Sequence, residues 1–257
     1  MRIAIITGAS SGMGREFVRQ LSAWERFDEL WVIARREERL KALAGETELP
    51  IRPLELDLAK PERVQELEAL LAREQPEVGL LINCAGYGKF GRADELSPEE
   101  QLGIVDLNDR ALTAVTLSCL PYMRQGGRIV QLGSLSSFQP VPYMAVYGAS
   151  KAYVLAFSRA LNQELRPRGI RVMAVCPGWV RTEFFDRAVV REQSDAVNYY
   201  NRFYTAEQVV SRAYRDLYRT RKDLSICGLP VRNQVRLVKL LPHSLVMKIW
   251  LKQQHHA

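Results

Sequence analysis

Short apolar runs alternate with amphipathic stretches from the first residues onward. Ile3–Thr7, Glu29–Ala34, Ile51–Leu56, Gly79–Asn83, Arg128–Leu132 and Ile170–Cys176 read as strands, with a weaker candidate at Leu224–Cys227. Those in the middle are apolar on both faces, as strands buried in a parallel sheet must be. Between them, Gly12–Ala23, Arg36–Ala44, Pro61–Glu74, Pro98–Met123 and Ala145–Pro167 carry helical periodicity. Pro61 and Pro98 sit where a first helical turn tolerates a missing N–H. The alternation predicts an α/β fold: a doubly wound parallel sheet of about seven strands between two layers of helices. No linker or repeat interrupts it, so residues 1–257 are expected to form a single domain.

Composition changes this picture little. With 47% apolar and 25% charged residues, collagen-like, low-complexity and disordered readings are excluded. The net charge of +7 is unevenly placed: residues 202–257 hold 11 basic and 3 acidic residues, and the remainder is close to neutral. A polyanion partner is therefore not implied for the body of the chain, and no nucleic acid is expected. Cys84, Cys119, Cys176 and Cys227 are far apart among apolar neighbours, which predicts buried thiols in the cytoplasm rather than disulfides or a metal site. His243, His255 and His256 all lie near the C-terminus, which argues against a Ser-His-Asp hydrolase. Neither a secretory signal nor an apolar run of the ~18–20 residues that cross a bilayer is expected.

Chemistry first enters at the turn after Ile3–Thr7, the stretch Gly8-Ala9-Ser10-Ser11-Gly12-Met13-Gly14. Gly8 permits a tight turn, Gly12 a close approach of backbone N–H groups to a pyrophosphate, and Gly14 close packing of the helix on the strand. This is the strand–turn–helix context of a dinucleotide site. The second strand ends at Ala34, followed by Arg35 and Arg36. An acidic residue there would hold the ribose 2′-hydroxyl of NAD, whereas arginine accepts a 2′-phosphate in bidentate fashion. NADP is expected, with NAD the less favoured cofactor.

Tyr147 and Lys151 lie four apart in a helical stretch, on one face. An ammonium beside a phenol brings the phenol pKa of about 10 down towards the working pH. The spacing alone is weak: ten Tyr and eight Lys in 257 residues give about 0.3 chance pairs. Tyr218 and Lys222 repeat it in what reads as a basic, exposed helix, and are taken as structural. Ser134 separates the two cases, because it follows the strand Arg128–Leu132 and ligands bind beyond the carboxyl ends of parallel strands. Asn108 is out of place in a helix interior, since its side chain competes for backbone groups. A surface Asn and a helix-kinking Asn that binds water both fit the sequence.

With these motifs in order, together with Asp57-Leu58, Asn83-Cys84-Ala85-Gly86 and Pro177-Gly178-x-x-x-Thr182, the chain resembles the short-chain dehydrogenase/reductase family over nearly its full length. The glycine spacing and length resemble its compact, single-domain oxidoreductase branch. The resemblance implies a Rossmann fold and a role for each residue. Tyr147 would be the acid–base group, Lys151 would lower its pKa and bind the nicotinamide ribose, and Ser134 would hold the substrate oxygen. Asn108 would hold a relay water. Asp57 and Leu58 would line the adenine site, with Asn83, Ala85 and Gly86 under the adenosine ribose. Pro177, Gly178, Val180 and Thr182 would hold the nicotinamide. Two departures stand out: Cys84 replaces the usual second Asn, and Ser11 occupies a place in the glycine turn that is often basic in NADP-preferring members.

Residues 183–204 lack clean periodicity and are aromatic-rich, where a substrate lid belongs. Phe184, Phe185, Tyr199, Tyr200, Phe203 and Tyr204 suggest a bulky apolar ketone or alcohol, such as a sterol, acyl or aromatic ketone. They are equally suited to packing the lid on the domain. Residues 229–257 read as two basic amphipathic helices broken at Pro242. These could dock within a homodimer or homotetramer, pack on the domain, or contact an anionic membrane surface. The expected function is an NADP-dependent oxidoreductase acting on a carbonyl or secondary alcohol. Its rival is a catalytically silent dinucleotide-binding sensor or scaffold, against which the full set Asn108, Ser134, Tyr147 and Lys151 argues.

Overall fold

The computed structural model describes residues 1–189 and 196–256. Seven parallel strands form one sheet in the order β3-β2-β1-β4-β5-β6-β9. They are β1 (Arg2–Thr7), β2 (Glu29–Ala34), β3 (Ile51–Glu55), β4 (Glu77–Asn83), β5 (Arg128–Leu132), β6 (Arg171–Val175) and β9 (Leu224–Ser225). Central strands bury nearly every side chain, which is why their sequences are apolar throughout. Helices α1 (Gly12–Leu21) and α8 (Ala206–Arg219) cover one face with Phe17, Val18, Tyr214 and Leu217. Helices α3 (Pro61–Glu74), α5 (Leu112–Cys119) and α6 (Ala145–Glu164) cover the other with Leu67, Leu71, Val115 and Leu161. The short α2 (Glu37–Ala42) follows β2, and α4 (Pro98–Val105) leads into α5.

Three differences from the sequence pattern concern the site. First, Pro98–Tyr122 is one helical run, but Asp106–Ala111 winds as a π-helix. Asn108 lies inside it, fully buried, so it is not a surface residue. Second, α8 is not an exposed helix: it buries Val209, Val210, Ala213, Tyr214 and Leu217. It ends at Arg219, so Tyr218 and Lys222 share no helical face; Tyr218 stacks on Trp24 at 5.7 Å and donates to Glu25 Oε2 at 2.6 Å. Third, two three-residue strands escape the pattern altogether. β7 (Trp179–Arg181) and β8 (Phe203–Thr205) pair in parallel and bring the ends of the expected lid together. Within it α7 (Phe184–Ala188) is helical, while residues 190–195 of that segment lie outside the described residues.

The basic C-terminal segment forms α9 (Leu229–Val238) and α10 (His243–Gln253), parted at Pro242 as the pattern predicts. Both pack on the body of the protein. α9 buries Val231, Val235 and Val238, and α10 buries Val246. Gln254 is fully buried: its Oε1 accepts from the N–H groups of Asn198 and Tyr199, each at 2.9 Å, and its Nε2 donates to Tyr199 O at 3.2 Å. Trp250 Nε1 donates to Pro142 O at 3.0 Å. Leu237, Leu240, Leu245 and Ile249 remain exposed on the outer side.

Candidate active site

Because all seven strands are parallel, their carboxyl ends meet at one edge of the sheet, and two adjoining clefts open there. The first runs along the glycine turn and the end of β2. It is lined by Gly8, Ser10, Ser11, Gly12, Met13 and Gly14, by Arg35 and Arg36, and by Asp57, Leu58, Ala85 and Gly86. Gly8 has φ +68°, and a Cβ there would lie 2.7 Å from Ala85 N. A Cβ on Gly14 would lie 2.2 Å from Gly8 O, so only glycine lets α1 start against this turn. Thr7 Oγ1 accepts from Cys84 N and Ala85 N, both at 3.1 Å, and so joins the ends of β1 and β4. This cradle of glycine backbone, helix N-terminus and arginine matches the shape and charge of a dinucleotide.

The second cleft holds Ser134, Tyr147 and Lys151, with Pro177, Gly178, Val180 and Thr182 along one side. Met13, Gly86 and Thr182 line both clefts, so the two are continuous. Ser134 caps the 3-10 turn Leu135–Phe138 that follows β5, where its Oγ accepts from Ser136 N at 3.2 Å. Lys151 Nζ donates to Leu132 O at 2.8 Å, at the last residue of β5. α6 thus carries the ammonium onto the strand end rather than onto the phenol, and Nζ lies 5.8 Å from the Tyr147 ring centroid.

That geometry changes the electrostatics expected from the sequence. Burial pushes Tyr147 up to about 12, and hydrogen bonding with Ser134 opposes the rise. The phenol holds its proton firmly here, contrary to the expected lowering by Lys151. Burial brings Lys151 down to about 8, opposed by the acidic groups Cys84, Asp109 and Cys176. Burial also lifts Asp109 to about 6, and its Oδ1 has no partner among the described residues.

Two predicted site residues lie behind the clefts. Asn83 Nδ2 donates to Thr116 Oγ1 of α5 at 2.9 Å and to Gln131 Oε1 of β5 at 3.0 Å, tying β4 to both. Asn108 Nδ2 donates to Tyr87 O and to Ser150 Oγ, each at 3.0 Å, while its Oδ1 accepts from Tyr87 N at 3.1 Å. The π-turn aims this amide at the loop after β4 and at α6 together, as a regular helix would not.

Of the lid aromatics, Phe184, Phe185 and Tyr199 line the second cleft. Tyr200 and Phe203 pack behind them against Phe185, and Tyr204 joins the core. The sequence offered both roles, and the structure divides them residue by residue. Gln234, Trp250 and Gln253 of α9 and α10 complete the far wall, and Arg187 of α7 reaches the first cleft. No motif marks these four; they arrive through the fold.

Comparison with known proteins agrees with this arrangement. A family model described as short chain dehydrogenase matches residues 2–193. Sulfoacetaldehyde reductase 2 of Chromohalobacter salexigens is 36% identical over 190 residues, covering 71% of this chain and 74% of that protein. A short-chain dehydrogenase from Sphingobium yanoikuyae, solved in complex with NADPH, superposes with a TM-score of 0.79 at 31% identity, covering 96% of this chain and 95% of that one. The bulky-bulky ketone specific alcohol dehydrogenase of Comamonas testosteroni gives a TM-score of 0.74 at 28% identity, covering 96% and 94%. The sheet order, the glycine turn opening onto a Tyr–Lys helix and the family match agree: the chain belongs to the short-chain dehydrogenase family and is an NAD(P)-dependent oxidoreductase.

Proposed function

We propose that this protein is an NADP-dependent oxidoreductase that interconverts a bulky apolar ketone and its secondary alcohol. The observation that carries the reading is the second cleft. Its walls combine aromatic and aliphatic side chains with neutral amides such as Gln234 and Gln253, and Lys151 is the one charged side chain among its described lining residues. A carboxylate or phosphate on the substrate would find no cation on the far wall, whereas an apolar ketone replaces water at little cost. The bulky-bulky ketone specificity of the Comamonas enzyme supports this, and the NADPH complex of the Sphingobium enzyme supports the cofactor.

Arg35 and Arg36 are proposed to hold the 2′-phosphate, the glycine turn the pyrophosphate, Asp57 and Leu58 the adenine, and Ala85 and Gly86 the adenosine ribose. Pro177, Gly178, Val180 and Thr182 would hold the nicotinamide, with Lys151 on its ribose. When bound, the dinucleotide supplies or accepts the hydride. Ser134 donates to the substrate oxygen, and Tyr147 gives that oxygen its proton in reduction or removes it in oxidation. Asn108 acts as a positioning residue, since it fixes the Tyr87 backbone and Ser150 beneath these groups, and Asn83 steadies the sheet. We assign residues 183–204 to a lid over one domain, place the protein in the cytoplasm in keeping with its four free thiols, and expect a homo-oligomer.

Loss of NADPH absorbance with a panel of neutral and carboxylated ketones tests the reading. Tyr147→Phe should retain dinucleotide binding and lose at least about a thousandfold in turnover, because no other group carries the proton. Turnover within tenfold of wild type would sink the assignment of Tyr147.

A further inference from the structure

Immediately after Thr182, Glu183 turns its carboxylate onto the arginines that follow β2. Its Oε2 accepts from Arg36 Nη1 at 2.9 Å and its Oε1 accepts from Arg39 Nη1 at 2.6 Å. Arg36 is gripped from its other edge by Ser10 Oγ, at 3.4 Å from Nε and 3.2 Å from Nη2. The guanidinium proposed above to receive the 2′-phosphate therefore already carries an anion. Arg187, on the same lid segment, lines this cleft with Arg35. Burial, then crowding by Arg35 and Arg36, holds Arg187 below the usual arginine value. Conversely, hydrogen bonding to Arg36 draws Glu183 below the usual carboxylate value. Arg35, Arg36, Arg39 and Arg187 thus outnumber Glu183 and Asp57, the two carboxylates among the described residues that line this cleft, so Glu183 neutralises only part of the cluster.

We propose that Glu183 is a specificity-determining residue: an internal counter-anion that competes with the 2′-phosphate of NADPH for Arg36 and Arg39. The inference rests on the NADP reading above. A 2′-phosphate brings about −1.5 to −2 charges and three acceptor oxygens against one charge and two oxygens on Glu183, so it is the stronger partner for the same guanidinium groups. NADPH must nevertheless displace the Glu183 carboxylate from these arginines, which lowers its affinity below what the arginines alone would give. A dinucleotide without the phosphate leaves the Glu183–Arg36–Arg39 bridge in place.

The test uses the full-length protein and calorimetric titration with 2′,5′-ADP and 5′-AMP, which differ only by that phosphate. Glu183→Gln is expected to tighten 2′,5′-ADP binding about fivefold while moving 5′-AMP by less than about twofold. Arg36→Ala is expected to weaken 2′,5′-ADP about tenfold. With NADPH and NADH as cofactors, the ratio of kcat/KM values should shift towards NADPH in Glu183→Gln. If Glu183→Gln binds 2′,5′-ADP no tighter than wild type while Arg36→Ala binds it worse, the role of Glu183 is overturned and the NADP reading stands. If Arg36→Ala binds 2′,5′-ADP as wild type does, this proposal falls; if the wild-type protein binds 2′,5′-ADP no tighter than 5′-AMP, the NADP reading falls and this proposal with it.

Discussion

Lys151 carries a charge where a charge is costly. It is almost fully buried, and that burial brings its pKa down to about 8. Burial favours the neutral amine, while negative charge at Asp109 favours the ammonium. If catalysis needs the ammonium, ketone reduction should fall as pH rises through about 8, because the proton is lost there. Asp109→Asn removes one group that retains it, so the falling limb should move to lower pH; a pH–rate profile of both proteins checks this. Among single residues, Tyr147, Lys151 and Ser134 were legible because each sits at a fixed distance from a strand end. Glu183, Arg187 and Trp250 were not, since what places them is the return of a distant segment. The tyrosine–lysine spacing also misled about charge: i,i+4 puts two side chains on one face, but the Leu132 carbonyl captures the ammonium.

At the scale of elements, the strands were the easiest to read, because a strand covered on both faces must be apolar throughout. β7 and β8 were hidden by their length: three residues show no period. α8 misled through its arginines: Arg215 and Arg219 are exposed, while Tyr214 packs on Phe17 of α1 and Leu217 is buried in the core. Asn108 gave the only hint of the π-turn. The C-terminal helices were legible as helices, but not the wall they build. Gln254 fastens their end to Asn198 and Tyr199 through three hydrogen bonds. Gln254→Ala removes the acceptor of two part-buried N–H groups, which costs about 1 kcal/mol locally. It should raise KM for a bulky ketone about five- to tenfold with 2′,5′-ADP affinity unchanged, as parallel kinetics and calorimetry would show.

Across the whole molecule, the order of the sheet collects every strand end at one edge, and both clefts follow from that. Away from this edge, Leu102 and Val105 of α4, Leu117 of α5 and Tyr153 of α6 are exposed on neighbouring helices. Such a patch suits a self-association surface. If the protein sediments as the homo-oligomer proposed above, Leu102→Asp with Leu117→Asp should lower its molar mass to that of one chain while the fold persists; an unchanged oligomer mass would place the contact elsewhere. The basic surplus of the chain belongs to the opposite end of the sequence, on helices whose inner faces are already committed to the body.

The dinucleotide cleft is written almost entirely by residues 8–187, and the far wall of the second cleft by Gln234, Trp250 and Gln253. The two can therefore be varied separately. A library confined to those three positions would explore ketone shapes while every variant keeps its grip on the cofactor. The same separation gives descendants of such a chain a continuous route to new substrates, with no step at which the hydride carrier has to be won back.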